Sequence, residues 1–494
     1  MSLNAVDVAI VAGYVALVLY AGTFARKSIR GLAGFLVAER SMGLHLGLAS
    51  LIASEIGIIT YMYLAEAGYR NGLAALIIGL PFFVVVLFLG RTGFIIKPLI
   101  ELRIMTLPEL FERKYGRGVR FLAGFLMAVG GLINFGVFPG VEAKFINTVT
   151  GLPQDAVLWT MIGLLAVVLA YTALGGMVSV IFTNYVQYIL LSLGMIFLTV
   201  FGVLKLGWPR IVASSAEAFG PKGLNPFAAG SPFGLSYVLW QLLFQLSVLT
   251  IAPYITMRIF AAKDARTGAR IFAWSSVLFL ARAIIPVFWG VMALAYLTTR
   301  PEDPLQALPL MIAGLTPKGL LGLLLAALLA ASMSTYASYL LSWSSVISQD
   351  IIGVAYERLT GRRLGDRSRL LVNRATMAAM ILFILWWSFR FQSEELLFFY
   401  LMLAVNLFLA GTLVSAVFGL YLHDRRFGLL RGRRWGAYAA FILGAVPTVL
   451  FFLPAHPPVS RLGLWSYILA LSGMVGGSVA QNLLDPDAPK GEAA

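Results

Sequence analysis

From Ala331 to Asp350 the chain reads ASMSTYASYLLSWSSVISQD, eight Ser and Thr hydroxyls in a stretch otherwise apolar enough to cross a bilayer. A hydroxyl surrounded by hydrocarbon must find a partner. Ser334, Ser338 and Ser342 recur at helical spacing with Ala331, Thr335 and Ser345 beside them, so one narrow stripe of small, mostly oxygen-bearing side chains faces a single direction. Such a stripe can pack against another helix, its hydroxyls bonding back to a carbonyl one turn earlier. It can also hold an ion, because a hard monovalent cation takes several neutral oxygens, and carbonyl dipoles replace its hydration shell without adding buried charge.

Two apolar runs are interrupted in comparable ways. Ser54, Glu55 and Gly57 fall near the middle of 44–68, and Gln245, Ser247, Thr250 and then Pro253 fall in 233–257. Such breaks free backbone carbonyls and amides at membrane depth, although Gly and Pro are also simply common in membrane helices. Ionisable groups inside a membrane are expensive and therefore functional candidates. Glu55 lies at the first break, and Arg282 lies deep within the run that follows Lys263–Arg270. The guanidinium can clamp a solute carboxylate or pair with Glu55, since burying either charge alone is costly. Glu142 and Lys144 read as a snorkelling or interfacial pair at the outer end of 119–147.

Several chemistries are excluded. There is no cysteine, hence no disulfide, thiolate metal site or Cys nucleophile. His45, His423 and His456 lack metal-ligand spacing, and Gly175-Gly176 makes a turn rather than a phosphate cradle. Neither a primary pump nor an enzyme is expected, because no catalytic carboxylate, His or Cys cluster is visible.

The elements that must position these groups are membrane helices. Of 494 residues, 60% are hydrophobic and 12% charged, and the mean hydropathy is +0.88. About thirteen apolar runs of spanning length follow one another. They form one membrane domain over 1–485, with a first span at 6–25, core segments 44–204 and 233–422, two further spans within 436–480, and a polar tail at 486–494. The linkers 206–232, 352–368 and 423–435 read as ordinary loops. The first span opens with Asp7 and is followed by RKSIR, as in a retained span rather than a cleaved leader.

The net charge of +15 follows topology and needs no nucleic acid partner. Arg26, Lys27 and Arg30; Arg103, Arg113, Lys114, Arg117 and Arg120; Lys263, Arg266 and Arg270; Arg358, Arg362, Arg363 and Arg367; and Arg425 to Arg434 fall on alternate loops, one side of a thirteen-span topology. That side is cytoplasmic, so the N-terminus is expected outside and the C-terminus inside, in a cell (plasma) inner membrane.

Four segments in order resemble the sodium:solute symporter family: FLVAERSM at 35–42, TLPELFERKYG at 106–116, YTALGGMVSVIFTNYVQ at 171–187 and PYITMRIFAAKDA at 253–265. The resemblance implies an all-α, leucine-transporter-like fold with two inverted five-helix repeats and alternating access driven by sodium. Aligned on 52–69 and 331–350, it also implies a sodium site with carbonyls from Ala53, Ile56 and Ala331 and hydroxyls from Ser334 and Thr335. Glu55, Thr60, Gln245 and Arg282 fall on or near the solute cavity. Asn184 stands where many members carry an aspartate, and Ala337 and Ser338 where a second sodium would take hydroxyls, so one sodium per cycle is expected. The expectation is sodium-coupled symport of a small organic solute, an amino acid, carboxylate or similar, with sodium as coupling ion and the monomer as functional unit. The alternatives are proton coupling through Glu55, or a transporter-like membrane sensor, which would normally append a cytoplasmic signalling domain.

Overall fold

In hydrocarbon the backbone has no water to bond, so an apolar chain of this kind closes its hydrogen bonds within helices. The computed structural model describes residues 4–25, 31–317, 319–390, 397–453 and 456–485; Arg26, Lys27, Arg30 and the tail at 486–494 lie outside them. The spanning helices are α1 (Ala5–Ala25), α2 (Leu44–Glu55), α3 (Ile58–Asn71), α4 (Gly79–Thr92), α5 (Arg117–Gly136), α6 (Phe138–Thr150), α7 (Val157–Leu206), α8 (Leu235–Ile251), α9 (Pro253–Ala261), α10 (Ala265–Tyr296), α11 (Leu320–Val346), α12 (Asp366–Arg390), α13 (Leu397–Tyr421), α14 (Arg434–Phe451) and α15 (Val459–Leu484). Nine continuous runs among the described residues are long and apolar enough to cross a membrane, ten when α8 and α9, bent by 49°, count as one.

Two of those runs, Ile58–Thr92 and Gln154–Leu206, each hold two crossings. A straight helix of the 50 residues in α7 would measure about 75 Å against a hydrocarbon core of about 30 Å. It turns at Gly176, whose φ of 51° and ψ of −147° suit glycine alone, and α3 is separated from α4 at Gly72, also at positive φ. With these turns, and with α2–α3, α5–α6 and α8–α9 each taken as one span, the helices make the thirteen crossings that hydropathy anticipates.

The core sits around α11 and α13, which are enclosed, whereas α7 and α12 turn mostly towards lipid. α10 packs on α3 and α4, and α11 packs on α7, α1 and α2. Asp7 of α1 is buried and accepts hydrogen bonds from the amides of Gly319 (3.0 Å) and Gly322 (2.7 Å), so the first span caps the start of α11. The entry to α2 is stitched to the exit of α9, Met42 donating to the Ala261 carbonyl (2.9 Å) and accepting from Lys263 (3.1 Å), with Arg40 donating to the Phe260 carbonyl. Two linkers depart from expectation: 352–368 contains the helix Gly353–Thr360, and 206–232 the helix Trp208–Phe219. Its Ser215 hydroxyl accepts from the Leu73 amide and donates to the Gly223 carbonyl, fixing the turn before α4.

Candidate ion and solute site

Between α2 and α3 the chain is extended at Ile56 (φ −121°, ψ 104°) and Gly57 (φ −116°, ψ 172°). The last carbonyls of α2 and first amides of α3 therefore need partners from elsewhere. The Ile58 amide donates to Ser332 Oγ (3.3 Å) and the Ile59 amide to Glu142 Oε1 (2.9 Å). Thr60 Oγ1 spans the break, accepting from the Gly57 amide and donating to the Glu55 carbonyl.

The ion ligands expected from sequence gather at this break. Ser334 Oγ lies 2.7 Å from the Ala53 carbonyl and 2.7 Å from the Ala331 carbonyl. Thr335 Oγ1 is buried with no hydrogen-bond partner in the protein, and a Cβ placed on Gly57 would meet it at 3.1 Å. Ile56 is the extended residue between them. A buried hydroxyl without a hydrogen-bond partner, close to the buried carbonyls of Ala53 at the end of α2 and Ala331 within α11, belongs to an oxygen set that a monovalent cation satisfies. Beyond Thr335 the hydroxyls of the stripe turn to packing: Ser342 and Ser345 bond back to the carbonyls of Tyr339 and Leu341.

Glu55, Thr60, Gln245 and Arg282, the four residues expected to meet solute, line one cavity with Thr335, Asn134, Tyr254 and Tyr339. It holds about 80 Å³, room for roughly half a dozen waters. Of the two roles open to Arg282, the structure adopts the pairing one: Arg282 Nη2 lies 3.1 Å from Glu55 Oε2, and its Nε donates to the Glu55 carbonyl (2.6 Å). Its guanidinium also stacks over Phe82, 4.8 Å from the ring centre. Glu55 Oε1 and Arg282 Nη1 keep no partner in the protein. In the same lining Tyr254, beside Glu55, stacks on Tyr339 at 4.3 Å.

Two charged residues at the site escaped the sequence reading. Glu142 is no interfacial partner of Lys144: it is fully buried on the face of α6 towards the break, while Lys144 points outwards. Arg258, in α9, is buried and donates to Ser338 Oγ (2.5 Å), to the Ser50 carbonyl (3.0 Å) and to the Tyr254 carbonyl. Asn184 is buried beside the same Ser50. The rule that membrane-embedded charges are functional candidates would have found Arg258 within PYITMRIFAAKDA.

Spans broken beside a central, half-open cavity of mixed polar and apolar lining, with the entry to the first broken pair tied to the exit of the second, define a secondary transporter of the leucine-transporter type. The fold superposes on a Na+-coupled sialic acid symporter in its substrate-bound, outward-open state with a TM-score of 0.82 at 16% identity, covering 99% of both chains. Against the MhsT complex with L-phenylalanine the TM-score is 0.54 at 17% identity, covering 89% of this chain and 99% of the other.

The family model described as sodium:solute symporter family matches residues 35–444, and the chain belongs to that family. It is a sodium-coupled symporter of a small solute in a multi-pass membrane fold, and not an enzyme. Among its relatives are the sodium/myo-inositol cotransporter of Mus musculus (26% identity, covering 92% of this chain and 68% of the relative) and the sodium/mannose cotransporter of Bos taurus (27%, 92% and 81%). The sodium/glucose cotransporter 1 of Ovis aries is 26% identical over 89% of this chain and 71% of its own. The proton-coupled alternative finds no support in these relations.

Proposed function

We propose that the chain carries one sodium ion with one small polar solute per cycle, binding the ion through Ala53, Ile56, Ala331, Ser334 and Thr335 and the solute through Glu55, Thr60, Gln245 and Arg282. The observation that carries the ion site is the Ser334 hydroxyl, within 2.7 Å of carbonyls from both α2 and α11. A single sodium is supported by Arg258, whose guanidinium takes the Ser338 hydroxyl that a second ion would need. Thr335 also lines the solute cavity, so ion and solute share a wall, and by linkage each raises the affinity of the other.

The solute is a small organic molecule, an amino acid, carboxylate or similar. One acceptor, Glu55 Oε1, and one donor, Arg282 Nη1, stand unpaired side by side, matching an ammonium and a carboxylate on neighbouring atoms. A polyol is the second reading, favoured by the neutral hydroxyl and amide lining from Thr60, Asn134, Gln245, Tyr63, Tyr254 and Tyr339 and by the inositol, mannose and glucose cotransporters among the relatives. The two repeats run over 44–204 and 233–422, the N-terminus lies outside and the C-terminus inside, the membrane is the cell's inner membrane, and a monomer does the work.

The test is uptake into proteoliposomes, with solutes first chosen by thermal shift of the purified protein against amino acids, carboxylates and polyols, with and without sodium. Ser334→Ala with Thr335→Ala should abolish sodium-dependent uptake while the protein still elutes as folded. Sodium-driven uptake at the parent level would sink the ion site, and stabilisation by polyols alone would decide for the second solute reading.

A further inference from the structure

We infer that Glu142 is the counter-charge of the sodium site, a carboxylate that faces the ion's cradle from the far side of the α2–α3 break; this rests on the ion site proposed above. Glu142 comes from α6, a helix that contributes none of the five ion ligands. Its Oε1 accepts the Ile59 amide at 2.9 Å, and the Ser332 and Tyr336 hydroxyls of α11 face the same carboxylate. A Cβ on Gly57 would stand 3.1 Å from Thr335 Oγ1 and 3.5 Å from Glu142 Oε1. The ion-ligand hydroxyl and the carboxylate therefore flank the same face of Gly57, the residue that separates α2 from α3.

Charge accounting then singles Glu142 out. Glu55 has Arg282 at 3.1 Å, Glu66 has Arg70 at 2.8 Å and Asp350 has Arg120 at 2.7 Å. Asp7, at the end of its span, is held by the amides of Asn4, Gly319 and Gly322. Glu142 is fully buried, yet no Lys or Arg among the described residues comes within ion-pair distance of it. Its Oε2 makes no hydrogen bond in the protein. A buried carboxylate facing only amides and hydroxyls is partly offset by the positive end of α3 and otherwise uncompensated. The adjoining cradle is the reverse case, five neutral oxygens that would hold a positive charge with nothing to balance it. A monovalent cation in the cradle closes both accounts at once, and the field of Glu142 raises the cradle's affinity without a sixth ligand.

Sodium titration of uptake, with the sodium-induced rise in melting temperature as a second readout, tests this. Glu142→Gln keeps an acceptor for the Ile59 amide and nearly the same shape while removing the charge. The half-saturating sodium concentration should rise at least about tenfold, the sodium-induced thermal shift should shrink, and the sodium-free melting temperature should hold or rise. A purely structural Glu142 would lower that sodium-free melting temperature and leave the sodium requirement alone. Half-saturation within about twofold of the parent overturns the inference. Should the Gln variant not fold, Glu142→Asp withdraws the charge by one methylene and must still raise half-saturation about threefold, a parental value being the overturning result. If Ser334→Ala with Thr335→Ala leaves sodium dependence intact, the ion site itself is wrong; if that pair abolishes it while Glu142→Gln is silent, only the counter-charge falls.

Discussion

Arg282 is gripped by the Glu55 carboxylate, the Glu55 carbonyl and the face of Phe82, so its loss is felt twice. Arg282→Ala leaves Glu55 buried and alone, which costs about 3–5 kcal/mol; the melting temperature of the purified protein should fall steeply and solute uptake should cease. Adding Glu55→Gln to that variant should recover much of the stability but none of the transport, because it removes the unpaired charge without restoring the solute contacts. A double variant as unstable as Arg282→Ala would mean that packing, rather than charge, dominates there. The pairing of these two residues was legible as one of two options, since both are ionisable and both sit in apolar runs. Glu142 was not, because hydropathy fixes depth along a helix and says little about facing. On α6 the buried positions Val141, Glu142, Ala143, Phe145 and Ile146 encircle the helix, and no polar stripe marks the side towards the break.

The breaks themselves could be read from sequence because a membrane helix tolerates polar and helix-breaking residues only where something else satisfies the freed backbone. SEIG and the Pro253 region announced two such places, and both became helix pairs. The Gly-Gly turn was equally visible, and the structure assigns the positive φ to its second member. There the backbone conformation is closed to other residues, and a Cβ on Gly176 would stand 2.6 Å from the Phe35 carbonyl. Gly176→Ala should cost about 1–3 kcal/mol and lower the melting temperature, whereas Gly175→Ala, at ordinary helical geometry, should be mild; equal effects would place the turn elsewhere. What sequence could not supply is how one element completes another. Asp7 in α1 caps α11 across more than 300 residues, and no local pattern records that contact.

At the scale of the whole molecule, thirteen crossings, the leucine-transporter-like arrangement and the family were all reachable from apolar run lengths and four short motifs, because the bilayer permits so few backbone solutions. The distribution of buried charge was not, since it depends on which faces of α2, α6, α9 and α10 meet. Arg258 and Arg282 stand there against Glu55 and Glu142, two positive groups and two negative. Summed over the whole centre these four groups cancel when it is empty, although Glu142 has no cation at contact distance among the described residues and Arg258 bonds only neutral oxygens; sodium therefore meets a nearby counter-charge yet adds one net positive charge to the centre. Each elementary charge moved through a membrane potential is worth about 2.3 kcal/mol per 100 mV, so an interior-negative voltage should speed the inward passage of the loaded carrier and leave the empty return almost untouched. Proteoliposomes clamped by a potassium gradient and ionophore would read this as uptake that steepens with voltage and moves one net charge per zwitterionic solute. Voltage-indifferent uptake would mean that the charges at the centre do not cancel.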